Sequence, residues 1–265
     1  MMSRNNRDNK SENSEQFGIL AKYYDVLNYN ANYKKVADYI ENVFDIYQKK
    51  PNLVLDLACG TGNLTVELSK RGYDMTGVDL STDMLSVASL KNKKNNILWL
   101  NQDMRSFELY GTVDAVICCF DSLNYILDDD GIKKCFGLVN NYLDPGGLFI
   151  FDVNSKYKFE SIYANNNFVL EKKDVFCSWQ NYYNKKNKTC DFYITLFAKQ
   201  FDGKHKRYNE TQKEKYHSEK FLKTCLINAG FEDIRLFCDF NADKNFNPNE
   251  KHGRMCFSAV KKIMD

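Results

Sequence analysis

VLDLACGTG, residues 54–62, is the stretch that decides the fold. An apolar strand runs up to Asp56, a turn holds Ala58, Gly60 and Gly62, and a helix opens near Asn63. In that order they form a nucleotide-type βα turn, because glycines let backbone N–H groups approach a ligand at the carboxyl edge of a parallel sheet. A bare G-x-G carries little weight alone. Asp79 adds to it, at the end of the next strand and seventeen residues beyond Gly62. A carboxylate there can accept both hydroxyls of a ribose, which points to a ligand containing a nucleoside.

Charge separates the nucleoside ligands. A dinucleotide site wants a third glycine where this chain has Thr65, with pyrophosphate on the helix N-terminus. Asp56 beside the turn would repel pyrophosphate by about 1 kcal/mol or more at short range. The same carboxylate suits an ammonium group. S-adenosylmethionine offers an ammonium, a ribose and no phosphate, so it is favoured over NAD and over an NAD-type oxidoreductase.

Outward from this turn, short apolar runs at 53–57, 75–78, 97–100, 113–120 and 148–153 alternate with helix-like segments at 61–71, 82–92 and 128–143. Alternation of that kind predicts a parallel sheet covered on both faces. The fold class is α/β: a Rossmann-like, seven-stranded, mostly parallel sheet with helices on both faces, plus a small antiparallel β cap. Before the sheet, residues 17–47 repeat apolar side chains at three and four, the helical spacing, until Pro51. Residues 1–15 are polar and aperiodic and read as a disordered tail. After the fifth strand, the runs 174–183, 189–201 and 205–216 read as long antiparallel strands. They are joined at residues 184–187 and by Asp202-Gly203. A helix from an N-cap at Ser218 to Gly230 and strands at 231–240 and 254–261 close the chain. The organisation expected is therefore a tail at 1–15, helices closing over the cofactor at 16–50, a core at 51–153 and 217–265, and a substrate cap at 154–216.

Composition narrows the function. The 265 residues carry 37 basic and 35 acidic side chains, a net charge of +2, with 43% apolar residues. Such balance argues against a nucleic-acid partner, which usually meets a basic face. No run reaches the roughly 18 apolar residues that would span a membrane, and no secretory signal is expected in the polar first sixteen residues. Nine scattered cysteines without a C-x-x-C pair read as buried, reduced thiols in a cytoplasmic protein. No metal site is expected. His205, His217 and His252 sit in polar stretches and are expected at the surface.

VLDLACGTG, GVDLS with Met84 (77–84), NQDM (101–104), CFDSLNY (119–125) and LDPGG (143–147) together resemble class I S-adenosylmethionine-dependent methyltransferases. The resemblance covers residues 20–153 and resumes at the terminal helix and strand pair. It implies S-adenosyl-L-methionine as cofactor, Asp79 on the ribose and Asp103 on the adenine amino group. Leu80, Met84 and Met104 would sandwich the ring, and Gly60 with Gly62 would flank the methionine part beside Asp56 and Ala58. Phe120 and Asp121 would face the sulfonium and the acceptor. Tyr23-Tyr24-Asp25 resembles a motif on closing helices, which would put Tyr24 against the cofactor at the methyl-transfer site. Tyr24 and Asp121 are the catalytic candidates, with Glu210 and His217 behind them.

Amino-group methylases of nucleic-acid bases carry an Asn- or Asp-Pro-Pro-aromatic motif after the fourth strand, and this chain has Phe120-Asp121-Ser122-Leu123 there. The cap is similar to those of methyltransferases acting on sugar amines. Its aromatics Trp179, Tyr182, Tyr183, Phe192 and Tyr193 would wall a pocket or pack sheet on sheet. The function expected is methyl transfer to a small-molecule acceptor, an amine rather than a hydroxyl or carbon, by a monomer or homodimer. The alternatives are a non-catalytic cofactor-binding protein on the same fold and a methyltransferase acting on RNA or protein.

Overall fold

The computed structural model describes residues 18–91, 97–172 and 174–263, apart from the side chain of Ile19. The tail expected at 1–15, and Phe17, lie outside the described residues. Two helices, α1 (Gly18–Leu27) and α2 (Tyr33–Ile46), replace the single periodic stretch read from the sequence. The break comes where Asn28, Asn30 and Asn32 crowd together, and the Asn32 side chain caps α2 by accepting the Lys35 N–H at 3.0 Å.

The core then alternates as expected: β1 (Leu53–Leu57), α3 (Asn63–Lys70), β2 (Asp74–Asp79), α4 (Thr82–Lys91), β3 (Leu98–Asn101), β4 (Val113–Cys118), α5 (Asp129–Tyr142) and β5 (Leu143–Asn154). The cap follows, made of β6 (Asn167–Lys172), β7 (Val175–Asn184), β8 (Thr189–Lys199) and β9 (His205–Lys215). The chain ends with α6 (Glu219–Asn228), β10 (Phe231–Cys238), β11 (Asn241–Asn245) and β12 (Arg254–Lys261).

The large sheet runs β11-β10-β12-β5-β4-β1-β2-β3, with β1 to β5 parallel and the pairings β5–β12, β12–β10 and β10–β11 antiparallel. It has eight strands where seven were expected. The extra one, β11, reads NADKN and has no apolar alternation to announce it. It exists because Asp239 and Phe240 both take left-handed backbone (φ 51° and 55°) and turn the chain back along β10.

Neighbouring residues of the central strands are buried on opposite faces. Leu55, Val116, Phe149 and Phe151 pack with Phe136 and Val139 of α5 and Leu222 and Leu226 of α6. Val54, Ile117, Leu148 and Ile150 pack with Ile40 and Val43 of α2 and Leu64 and Leu68 of α3. Strand order reverses between β1 and β4, which opens a crevice at their carboxyl ends, where open α/β sheets bind ligands.

The cap is a separate antiparallel sheet ordered β6-β7-β8-β9. Sequence periodicity missed β6, an edge strand whose residues are mostly exposed, and a π-helical segment at Lys158–Tyr163. The inner face of the cap rests on α1 through Leu20 and Tyr23 against Cys177, Ile194 and Leu196. It also rests on Phe159 and Tyr163 through Phe192 and Cys190.

His217 corrects the surface expectation. It is 2% exposed, with Nε2 2.9 Å from the Ile126 carbonyl and its ring stacked on Phe221. Burial pushes the imidazole down to about 4, against the pull of the Ile126 carbonyl. The unfolded chain therefore binds the proton first, and stability present above pH 6.5 is lost as pH falls toward 4. The amount is about 3 kcal/mol. His217→Gln, which keeps an N–H for Ile126, should flatten that decline in urea unfolding measured between pH 6.5 and 4.5. An unchanged slope would contradict a neutral buried imidazole.

Candidate active site

The first glycine turn is held from the neighbouring strand. Asp79, at the tip of β2, accepts the Gly60 N–H at 2.7 Å through one oxygen and the Ser81 N–H at 2.8 Å through the other. Ala58, Gly60 and Gly62 all have positive φ (62°, 56° and 73°). At Gly62 a Cβ would meet the Trp99 ring at 2.5 Å, so the glycine there serves close packing of the turn on β3. Burial raises the Asp79 carboxyl, which the two N–H bonds oppose.

Asp56 lies beneath this turn, 2% exposed, accepting the Thr65 hydroxyl at 2.6 Å. Burial, helped by the charge of Asp79 and opposed by Thr65, pushes its carboxyl up to about 7. The full negative charge assumed from the sequence is therefore corrected to a partial one at neutral pH. A cation placed beside Asp56 would restore it.

A second loop repeats the device. Phe120 and Asp121, after β4, are both left-handed (φ 61° and 56°) without being glycine, a conformation that costs roughly 1–2 kcal/mol per residue. Asp152 of β5 compensates by accepting the Phe120 N–H at 2.6 Å and the Asp121 N–H at 3.0 Å. Arg254, the first residue of β12, bonds Asp152 and pairs with Asp121 at 2.5 Å. Burial alone would raise the Asp121 carboxyl, but the Arg254 and Lys158 cations hold it below its usual range. Asp121, a catalytic candidate from the sequence, is thus ion-paired within the second loop.

One cavity of about 570 Å³ collects almost all the residues chosen from the sequence. Tyr24, Asp56, Ala58, Gly60, Asp79, Leu80, Met84, Asp103, Met104, Phe120 and Asp121 line it, and Gly62 does not. Asp103 is occupied by Arg105, whose guanidinium meets it at 2.5–3.1 Å and whose N–H reaches it at 2.8 Å. Those bonds hold it below the usual carboxylate range. The residues of Tyr23-Tyr24-Asp25 separate. Tyr23 packs into the cap, Tyr24 lines the cavity, and Asp25 takes the Thr61 hydroxyl at 2.7 Å, the Asn63 amide at 2.8 Å and Lys91 at 2.6 Å. Helix α1 is thereby tied to the glycine turn.

The cap aromatics divide as well. Trp179 lines the cavity, Phe192 and Tyr183 pack around Phe159 and Tyr163, and Tyr182 and Tyr193 pair on the outer face, 54% and 47% exposed. Glu210 is buried on the inner face outside the lining, as is His217 near α6. Sequence reading missed Lys158, Gln212, Glu214 and Arg254, which complete the far wall, and Asp152 and Asn154 behind them. Asp152 had a signal, a lone carboxylate inside the apolar run FIFDV. Glu210, Gln212 and Glu214 recur at the strand period but in a stretch polar at every position. Among the described residues, Cys238, Asp239 and His252 bring metal-ligand atoms within 4.8 Å of one another, a grouping the sequence did not suggest. The His252 nitrogens already face Asp239 at 3.1 Å and Glu250 at 2.9 Å.

The arrangement fits an adenosine sulfonium better than a dinucleotide. Asp25, Asp56 and Asp79 surround the turn, with Lys91 as the cation bonded there, and the Asp79 carboxylate lines the crevice at the tip of β2. Comparison with known proteins decides the matter. A crystal structure of an S-adenosylmethionine-dependent methyltransferase from Clostridium acetobutylicum superposes with a TM-score of 0.81 and 31% identity, covering 93% of this chain and 98% of that one. The chain is a class I S-adenosylmethionine-dependent methyltransferase. A methyltransferase domain family matches residues 54–147 of the enzyme. A Bacillus subtilis protein named as a candidate methyltransferase is 31% identical over 91% of this methyltransferase and 96% of its own length. The fold is shared with the sugar N-methyltransferase KedS8 from Streptoalloteichus, at a TM-score of 0.76, 19% identity and 99% coverage of both chains. Among the described residues no helix is long and apolar enough to cross a membrane.

Removing Asp152 takes one of its two carboxylate partners from the buried Arg254 guanidinium and leaves two left-handed N–H groups without their acceptor. Asp152→Ala should cost about 3–5 kcal/mol in urea unfolding. A loss below about 1 kcal/mol would contradict the clamp.

Proposed function

We propose that this methyltransferase transfers the methyl group of S-adenosylmethionine to the nitrogen of a small-molecule amine. The observation that carries the reading is the cavity: α1, the glycine turn and the inner face of the cap enclose about 570 Å³, within the roughly 300–1,000 Å³ of small-molecule sites. The name of KedS8, a sugar N-methyltransferase, supports a nitrogen acceptor.

In this reading Asp79 takes the ribose hydroxyls through lone pairs its two backbone N–H partners leave over. Leu80, Met84 and Met104 flank the adenine, and Asp103 meets its amino group while Arg105 holds it in place. Gly60, Ala58 and Asp56 face the methionine part, with Gly62 shaping the turn from behind. The sulfonium supplies an already activated methyl group. The chain's own work is to hold an acceptor in line with it and exclude water, and such orientation is worth roughly 7–11 kcal/mol. Tyr24 and Phe120 wall that position. Tyr24 is half-buried on the cavity wall, and desolvation there raises its hydroxyl above its ordinary value, with Tyr33 and Asp121 adding to the effect. Residues 16–50 act as the closing segment and 154–216 as the substrate cap.

The test is transfer of labelled methyl from S-adenosylmethionine to 3-amino-3-deoxyglucose, glucosamine and glycine, beside glucose and glycolate as hydroxyl counterparts. Label should enter amines and not their counterparts; label in hydroxyl compounds alone would overturn the reading. Asp79→Ala should weaken S-adenosylmethionine binding by roughly 1.5–3 kcal/mol in calorimetry, through loss of charge-assisted hydrogen bonds. Unchanged affinity would remove the ribose assignment.

A further inference from the structure

The far wall of the cavity carries more ionisable groups than methyl donation itself requires. Glu214 of β9 is 1% exposed and lines the cavity from the cap. Its Oε2 accepts the Asn154 amide at 2.8 Å. Asn154 is fixed in that orientation, because its oxygen accepts Lys158 Nζ at 2.8 Å and leaves the NH₂ to donate. Its backbone N–H is held in turn by the Asn124 side chain at 2.8 Å. Around Glu214 stand Asp121 after β4, Lys158 of the π-helical segment, Arg254 of β12 and the phenols of Tyr125 and Tyr163. Gln212, two residues earlier on the same strand face, bonds Tyr125 at 3.1 Å and Glu210 at 2.8 Å.

With Arg254, Lys158, Asp121 and Asp152 counted as ions, the charges in this wall balance while Glu214 is neutral. Arg254 and Lys158 are matched by Asp121 and Asp152, so ionised Glu214 leaves one negative charge over. An ammonium group entering the cavity would cancel it. From this geometry we infer that Glu214 receives the proton of the acceptor's ammonium group and so frees the amine for methylation, an inference that rests on the amine reading above. Burial, with the charge of Asp121, pushes the Glu214 carboxyl up to about 8, while Lys158, Asn154 and Arg254 oppose. That value lies about 2.4 units below an alkylammonium such as lysine, about 10.4, so the transfer runs uphill by about 3 kcal/mol, a gap that a positioned base can bridge and water cannot. An alcohol, about as weak an acid as water at roughly 15.7, would be out of its reach.

The step balances. R–NH₃⁺ gives a proton to the Glu214 carboxylate and becomes R–NH₂. The nitrogen lone pair then forms the N–CH₃ bond as the C–S bond breaks, its electron pair going to sulfur. The methylated ammonium keeps its remaining protons, and Glu214 returns its proton to solvent before the next turnover. Lys158 and Asn154 act as positioning residues for this carboxylate.

Glu214→Gln tests the inference with whichever amine of the panel takes label. In the native enzyme, log kcat/KM should rise with pH and bend near 8. In the variant it should fall about 100-fold or more at pH 7 and keep rising toward the amine's own pKa. A fluorinated form of the same acceptor, with its amine already neutral at pH 7, should recover the variant to within threefold. Equal calorimetric affinity for S-adenosylhomocysteine would show that the variant folds. A variant that retains the native rate and the bend near 8 overturns the role of Glu214 and leaves the amine reading standing. A panel in which no amine takes label overturns both.

Discussion

A carboxylate at one strand tip that grips the backbone N–H groups of the loop beside it is the interaction on which this active site depends. It occurs twice. Asp79 of β2 reaches the glycine turn that follows β1, and Asp152 of β5 reaches the Phe120-Asp121 loop that follows β4. Both loops run through left-handed backbone, which glycine adopts freely and Phe120 and Asp121 do not. Without an acceptor at each tip, the orphaned N–H groups would cost more than the conformation returns. The two grips flank the point where strand order reverses, so the crevice that the topology opens is also the place where the backbone is most firmly held.

Everything else closes around that crevice. Asp25 ties α1 to the glycine turn, Tyr23 ties the same helix to the cap, and Tyr24 between them faces inward. The cap and the cofactor turn are thus joined through three consecutive residues. Arg254 extends the second grip across the sheet, pairing Asp121 and Asp152, and brings β12 into the acceptor wall. One side of the cavity is therefore suited to an adenosine and the other, built from Lys158, Glu214 and Arg254, to a polar acceptor. The first half is built from the strand tips of the core, and the segment at 154–216 supplies the second together with Arg254 of β12.

The frame was readable because the parallel strands are apolar runs bounded by turn residues, and because a glycine turn followed by Asp79 has few other meanings. The residues that line the cavity beside the glycine turn were readable for the same reason: they sit at fixed offsets from strand ends. The acceptor side was not. Glu214 lies in NETQKEK, where every second residue faces inward but none is apolar, so periodicity has nothing to register. Arg254 and Asp152 are 102 residues apart and meet only through the pairing of β12 with β5. Asp121, chosen by its position after β4, proved to be a partner of that arginine. β11 and β6 escaped because one is polar and the other is an exposed edge strand. His217 misled for the opposite reason, a polar neighbourhood in sequence that becomes a buried one when α6 packs.

The central claim is that the crevice between the tips of β1, β2 and β4 holds an adenosine with its sulfur turned toward the cap wall. A crystal structure with S-adenosylhomocysteine tests it most directly. The account requires the ribose hydroxyls on the Asp79 carboxylate, the Gly60 and Ser81 N–H bonds retained, and the sulfur on the side of Tyr24, Phe120 and Glu214. A nucleoside seated elsewhere, or a sulfur turned away from that wall, would contradict it.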